Sequence, residues 1–268
     1  MNIGNHSFDT EKNCYIMGIL NVTPDSFSDG GQWDSLDKAK AHAADMIREG
    51  AAIIDVGGES TRPGHTQITT EEEIGRVVPV VRMLKESFDV PVSIDSYKGD
   101  VVEAALQAGA DMVNDIWGLK YDRRVAQLIA SYQVPCCLMH NRDNTDYENF
   151  LEDMCRDLEE SLEIARAAGI PREKIILDPG VGFGKTYEQN LEVIHHLERL
   201  KDMGYPVLLA TSRKSVIGLT LDLPADQRVE GTLATTVMGV ERGAAFVRVH
   251  DVKENMRAIR MTQAILRG

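Results

Sequence analysis

Short apolar runs alternate along the chain with longer stretches in which apolar positions recur at helical spacing. The short runs are 15–20 (YIMGIL), 53–56 (IIDV), 92–95 (VSID), 112–115 (MVND), 135–139 (PCCLM), 175–178 (IILD), 207–210 (VLLA) and 246–249 (FVRV), eight in all. They are aliphatic or β-branched and too short for helices, so they predict strands. Their apolar positions are continuous rather than alternating, which suits a parallel sheet covered by helices. Between them, Ile74, Val77, Val78, Val81, Leu84 and Phe88 recur at helical spacing behind Thr70-Glu71-Glu72-Glu73. There Thr70 and Glu73 predict a capping box. Ser35 predicts a cap for the helix carrying Leu36, Ala39, Ala43 and Ile47. Gly50, Gly109, Gly169 and Gly204 each follow a helical run, where a left-handed C-cap is expected.

Eight strand–helix units in series predict an α/β fold: a single-domain (β/α)8 barrel over residues 1–268, with its active site at the C-terminal ends of the strands. The rival is a doubly wound open sheet, whose nucleotide fingerprint is missing after the first strand. The last helix, 252–266, has one stripe of Val252, Met256, Ile259 and Leu266 and a second of Ala258, Met261 and Ile265. Either the N-terminal segment covers the outer stripe or a second copy does, and a homodimer is the favoured expectation.

Charge narrows the partners. With 42 acidic against 29 basic residues, the net charge of -13 repels nucleic acid and anionic membranes. An anionic substrate would need a local basic pocket. Cys14, Cys136, Cys137 and Cys155 show neither metal-site nor framework spacing, so buried thiols in a reducing compartment are expected. The first residues, MNIGNHSFDTEKN, carry no apolar signal core. No apolar stretch approaches the ~20 residues of a membrane span. A cytoplasmic protein is the expectation.

Polar groups gather at one end of the strands. Asn21, Asp25, Ser26, Ser28 and Asp29 follow the first, GGESTRPG the second, and Asp95, Ser96 and Lys98 the third. Asn114-Asp115 close the fourth and Met139-His140 the fifth. Asp178 and PGVGFGKT follow the sixth, Ser212-Arg213-Lys214-Ser215 the seventh, and Arg248, His250 and Asp251 the eighth. A lone Asp at a strand end is as often a helix cap as a ligand group. Asp95, Asn114 and Asp178 on three strands together offer donors and acceptors for a flat, nitrogen-rich ring. Arg62, Lys214, Arg248 and His250 would be surface charges singly, but at strand ends of an acidic chain they suggest an anion site. PGVGFGKT fails the phosphate-loop spacing, because Pro179 stands where the first glycine is required. His195-His196 beside Glu192 and Glu198 read as a solvated helix face. No His/Cys cluster supports zinc, and no Gly-x-Ser-x-Gly elbow supports a hydrolase.

MGILNVTPDSFSDGG, IDVGGESTRPG, SIDSYK, VNDIWG, LDPGVGFGKT, SRKSVIG and RVHDV, in this order from residue 17 to 252, resemble the signature segments of the bacterial dihydropteroate synthase family. One departure is Gln189, where that family often has His. The resemblance implies a (β/α)8 barrel that condenses 6-hydroxymethyl-7,8-dihydropterin diphosphate with 4-aminobenzoate to 7,8-dihydropteroate in folate synthesis. It implies Mg2+ held by Asn21 with the substrate diphosphate. It implies pterin binding by Asp95, Asn114, Asp178 and Lys214 with Met139 beside the ring, and diphosphate binding by Arg248 and His250 helped by Thr61. Asp29 would stabilise charge developing on the pterin methylene, shared with Asp95. Phe183, Lys214 and Ser215, with Thr61, Arg62 and Pro63, would shape the aminobenzoate site, where sulfonamides would compete. The rivals are a pterin-dependent methyltransferase and a silent pterin-binding paralogue. Neither would be expected to keep both the SRKS segment and the long NVTPDSFSDGG loop.

Overall fold

A strand that is apolar on both faces must be covered on both, and here the eight runs line up side by side to achieve it. The computed structural model describes residues 1–22, 32–59 and 67–268, with backbone alone for 32–35. Strands β1 (Asn2–Ile3) and β2 (His6–Ser7) form an antiparallel hairpin. The remaining strands are β3 (Tyr15–Asn21), β4 (Ala51–Gly57), β5 (Val92–Asp95), β6 (Met112–Asp115), β7 (Cys136–Met139), β8 (Ile175–Asp178), β9 (Leu208–Leu209) and β10 (Phe246–Val249). Among the described residues these make one eight-stranded sheet in the order β8-β7-β6-β5-β4-β3-β10-β9, parallel throughout. A parallel bridge between Leu177 and Val207 joins its two ends and closes the barrel. The helices are α1 (Gln32–Glu49), α2 (Thr70–Ser87), α3 (Gly99–Gln107), α4 (Arg124–Tyr132), α5 (Phe150–Ala168), α6 (Tyr187–His195), α7 (Glu198–Lys201), α8 (Ser215–Leu221), α9 (Val229–Glu241) and α10 (Val252–Arg267). The expected (β/α)8 barrel is the architecture found.

The strand period of two divides the core. Met17, Ile53, Met112, Cys137, Ile176, Leu208 and Phe246 fill the barrel interior together with Ile3 and Phe8 from the N-terminal segment. The Phe8 ring lies 4.9 Å from Tyr15 and 5.8 Å from Phe246, the first residues of β3 and β10. The hairpin therefore plugs the N-terminal end of the barrel, and the opposite end is left for chemistry. Cys136, next to Cys137, points the other way into the layer shared with the helices. Both thiols are buried and free, as the sequence suggested.

Local details differ from the sequence reading at several points. Pro135 has no N–H to give a ladder, so β7 opens at Cys136 while the Pro135 carbonyl accepts from Val113 N at 3.1 Å. The cap of α2 is Thr69, whose hydroxyl accepts from Glu72 N, not Thr70. Glu73 instead turns inward to the Lys98 ammonium at 2.8 Å, which also holds Glu59 at 2.6 Å. Helix α1 begins at Gln32, so Ser35 sits inside its first turn rather than at its cap. The buried stripe of α10 is Val252, Asn255, Ile259 and Thr262, and Leu266 is 56% exposed. The Lys12 carbonyl and the Asn13 side chain meet Arg267, yet Met261 and Ile265 stay exposed. No described helix is long and apolar enough to cross a membrane.

Candidate active site

Strand register sets the level of the site. Asn21 lies opposite Gly57, Gly57 opposite Asp95, and Asp95 opposite Asn114, so four neighbouring strands share one rung at or next to their C-terminal ends. Two strands further round, Met139 lies opposite Asp178. A methyl group on Gly57 would stand 3.5 Å from Asn21 Oδ1 and 3.6 Å from Asp95 Oδ2. The amide and the carboxylate thus converge over the one residue of the rung without a side chain.

A buried charge network lies under this rung. The Arg248 guanidinium donates from Nε to Asp55 Oδ2 at 2.6 Å and from Nη2 to Asp95 Oδ2 at 2.6 Å. Asn114 Nδ2 donates to the same Asp55 oxygen at 3.2 Å. The other oxygen of each carboxylate, Asp55 Oδ1 and Asp95 Oδ1, is buried with no hydrogen-bond partner among the described residues. Leaving such an acceptor unpaired costs about 1–3 kcal/mol, more for a charge. Burial drives the Asp95 carboxyl up to about 7; Arg248 and Lys214 oppose this, while Asp55 and Glu73 reinforce it. Burial likewise raises Asp178, against the Lys214 ammonium and a 2.7 Å bond from Gly180 N. The same burial pulls Lys214 down to about 8. A neutral donor of the right shape would be bound here at little desolvation cost to itself and would relieve the stranded acceptors.

The loop after β8 supplies the next wall. Phe183 and Trp117 pack against Tyr97, Ile116 and Met139, making an apolar face beside the polar rung. Lys214 donates to the Val181 carbonyl at 2.6 Å and stands 4.9 Å from the centre of the Phe183 ring. Gly180 has φ +69, and a side chain there would collide with the His140 carbonyl oxygen. Asn190, buried on α6, accepts from Gly182 N at 2.6 Å. Thr186 and Gln189 close a capping box on α6, with Gln189 N 3.2 Å from the Thr186 hydroxyl and Thr186 N 2.8 Å from Gln189 Oε1. The departure at Gln189 is thus a local cap, and the PGVGFGKT segment is a bound wall rather than a phosphate loop.

The predicted residues divide accordingly. Asp95, Asn114, Met139, Asp178, Phe183, Lys214 and Arg248 come together at the C-terminal mouth. Asn21 is on the rung but exposed, and Ser215 is exposed where α8 starts. His250 lies beside Ser212, Nδ1 to Oγ 2.9 Å. The described members of the basic set do not form one cationic patch: Lys214 faces Asp178 and Val181, and Arg248 is matched by two carboxylates. Asp29, Thr61, Arg62 and Pro63, with Asp25, Ser26 and Ser28, lie outside the described residues. Among the described residues no group of three His, Cys, Asp or Glu side chains is placed to hold a metal.

Sequence reasoning missed Asp55, Lys185 and Asn190. Asp55 had a signal: a carboxylate inside the apolar run IIDV must find a cation or a strong donor when buried. Lys185 and Asn190 carried none, because their partners are loop backbone and, for Lys185, the His140 ring 45 positions away.

The pterin binding enzyme family model matches residues 17–250. The dihydropteroate synthase of Clostridium beijerinckii is 60% identical over 268 residues, covering 100% of both chains. A crystal structure of dihydropteroate synthase from Clostridium difficile with pteroic acid is 55% identical with TM-score 0.95, covering 98% of this chain and 100% of that one. The dihydropteroate synthase of Xanthomonas albilineans with 4-aminobenzoic acid is 41% identical with TM-score 0.90, covering 95% and 93%. Family model, full-length relative and barrel geometry agree, and the chain belongs to the pterin binding enzyme family, among its dihydropteroate synthases.

Proposed function

We infer that this chain joins 6-hydroxymethyl-7,8-dihydropterin diphosphate to 4-aminobenzoate, giving 7,8-dihydropteroate and diphosphate in folate synthesis. The observation that carries the reading is the stranded Asp95 acceptor on one rung with Asn114, with Asp178 and Lys214 at the same mouth. Pterin ring N–H and amino groups are donors of the kind this set lacks. A ring without them would leave the acceptors unpaired and be rejected. Met139 would lie against the ring.

The aryl amine lone pair forms the C–N bond to the pterin methylene while the C–O bond to diphosphate breaks, and the amine proton passes to solvent. The amine is neutral near pH 7 and needs no dedicated base. Bond breaking ahead of attack would place positive charge on the pterin, which the Asp95 carboxylate and Asp29 would stabilise. Arg248 and His250, with Thr61, would hold the diphosphate. Phe183, Lys214 and Ser215, with Thr61, Arg62 and Pro63, would frame aminobenzoate. Asn21 suits Mg2+, because an amide oxygen is a hard ligand and Mg2+ commonly takes few protein ligands beside substrate phosphates and water. When bound, Mg2+ supplies Lewis-acid neutralisation of the leaving diphosphate.

We also propose a homodimer through α9 and α10, where Val237, Met261 and Ile265 are exposed apolar side chains on helices packed against each other. One domain over residues 1–268 and a cytoplasmic setting complete the reading, the latter supported by free buried cysteines.

The test is diphosphate release from the pterin diphosphate with Mg2+, with and without 4-aminobenzoate. Release coupled to dihydropteroate, and abolished by EDTA, is expected. Tight pterin binding by calorimetry with no turnover would sink the catalytic reading in favour of a silent paralogue or a methyltransferase.

A further inference from the structure

Lys185 is a buried ammonium with a full set of partners. Its Nζ donates to the Gly180 carbonyl at 3.0 Å, to the Phe183 carbonyl at 3.0 Å and to His140 Nδ1 at 2.8 Å. Three N–H bonds meet three acceptors. His140 must then carry its proton on Nε2, which reaches Asp157 Oδ2 at 2.9 Å. Arg142 holds the same carboxylate from Nε at 2.5 Å and Nη2 at 3.0 Å. The chain Lys185–His140–Asp157–Arg142 runs from the back of the site wall to the surface of α5. Burial lowers Lys185 to about 7 and His140 to about 4, while its two donors hold Asp157 well below the usual carboxylate range.

Burying an ammonium is costly, and an apolar side chain of similar shape would fill the space without that cost. What the ammonium adds is direction. It ties the two carbonyls that bracket Val181 and Gly182, so it sets the curvature of the segment that presents Phe183. That curvature also aims the Val181 carbonyl at Lys214. Its charge lies close enough to Asp178 to favour the ionised carboxylate.

We propose that Lys185, fixed by His140 and Asp157, is a positioning residue that shapes the aminobenzoate subsite by holding the Gly180–Phe183 segment. The proposal rests on the catalytic reading above.

The test is Lys185→Met, which keeps the bulk and removes the donors. KM for 4-aminobenzoate should rise on the order of tenfold, with a fall in kcat, while pterin diphosphate affinity by calorimetry changes only a few-fold. Butylamine added to Lys185→Ala should recover part of the lost kcat/KM. A lowered melting temperature with unchanged KM and kcat would make Lys185 structural and overturn the proposal. Wild-type turnover measured alongside tests the reaction separately. If the variants fail to fold, the Lys185 15N resonance of wild-type protein decides. It should shift when 4-aminobenzoate joins a bound pterin that lacks the diphosphate, and a resonance indifferent to both ligands overturns the proposal. That readout needs binding and not turnover.

Discussion

Asp55→Asn probes the charge under the pterin rung without changing its shape. The wild-type group is two carboxylates, Asp55 and Asp95, on one guanidinium, each at 2.6 Å. Asp55 is one of the charges that keep the Asp95 carboxyl up near 7, after burial, which is the larger cause. Carboxylates sharing a guanidinium stand roughly 5 Å apart, which at an effective dielectric of about 20 is worth about 3 kcal/mol. That is an upper bound of about two pH units, and one to two is expected after relaxation. The sign follows from which form works. Ionised Asp95 is the acceptor, so activity falls as pH drops through its pKa, and removing a neighbouring negative charge moves that fall to lower pH. The peak value should also drop roughly tenfold, because Asn114 loses a charged acceptor that orients its amide. The assay is kcat/KM for pterin diphosphate between about pH 5 and 9, which reports free-enzyme groups. Substrate ionisation is common to both proteins and cancels in the comparison. The limb belongs to the coupled Asp95–Arg248–Asp55 set rather than to one residue. An acid limb that stays in place, or moves to higher pH, would refute the reasoning.

Gly180→Ala should cost roughly 2–4 kcal/mol, from the left-handed backbone and the collision with the His140 carbonyl. Differential scanning fluorimetry should show the melting temperature falling by about 5–10 °C with activity lost in parallel, and a wild-type melt would contradict the geometry. Met261→Glu places a charge on the exposed apolar face of α10. If the proposed α9–α10 dimer forms, sedimentation should show the parent as a dimer and the variant as a monomer, and a variant that stays dimeric would move the interface elsewhere.

The barrel was legible because strand burial is a local property of composition. All eight predicted runs became strands of one sheet, most with ends within a residue or two. Helix starts were less legible because capping is a contest between neighbours. Thr69 and Thr70 carry the same hydroxyl, and Glu73 could have served Thr70 from the fourth position. What decides is Lys98, which takes Glu73 in a buried pair and so withdraws it from the cap. The β1–β2 hairpin gave no signal, since two residues per strand show no period. Its weight comes from Ile3 and Phe8 entering a barrel that the sequence does not display.

The site was legible as a parts list and opaque as a circuit. Asp95, Asn114, Asp178, Lys214 and Arg248 could each be named from strand ends, but their partners could not, because closing a barrel joins residues that are distant in sequence. Arg248 meets Asp55 across 193 positions and Asp95 across 153. Those contacts alter the chemistry rather than decorate it. Taken alone, Arg248 suggests an open cation waiting for phosphate. With two carboxylates on it, its charge is already matched, and it meets an incoming diphosphate through a network that carries a net negative charge. Judged from the described residues, diphosphate binding would either draw Arg248 partly away from Asp55 and Asp95 or bring compensating positive charge with it. A metal carried in with the substrate would meet the second requirement. If substrate and Mg2+ enter together, pterin diphosphate affinity should rise steeply with Mg2+, while affinity for a pterin lacking the diphosphate should not.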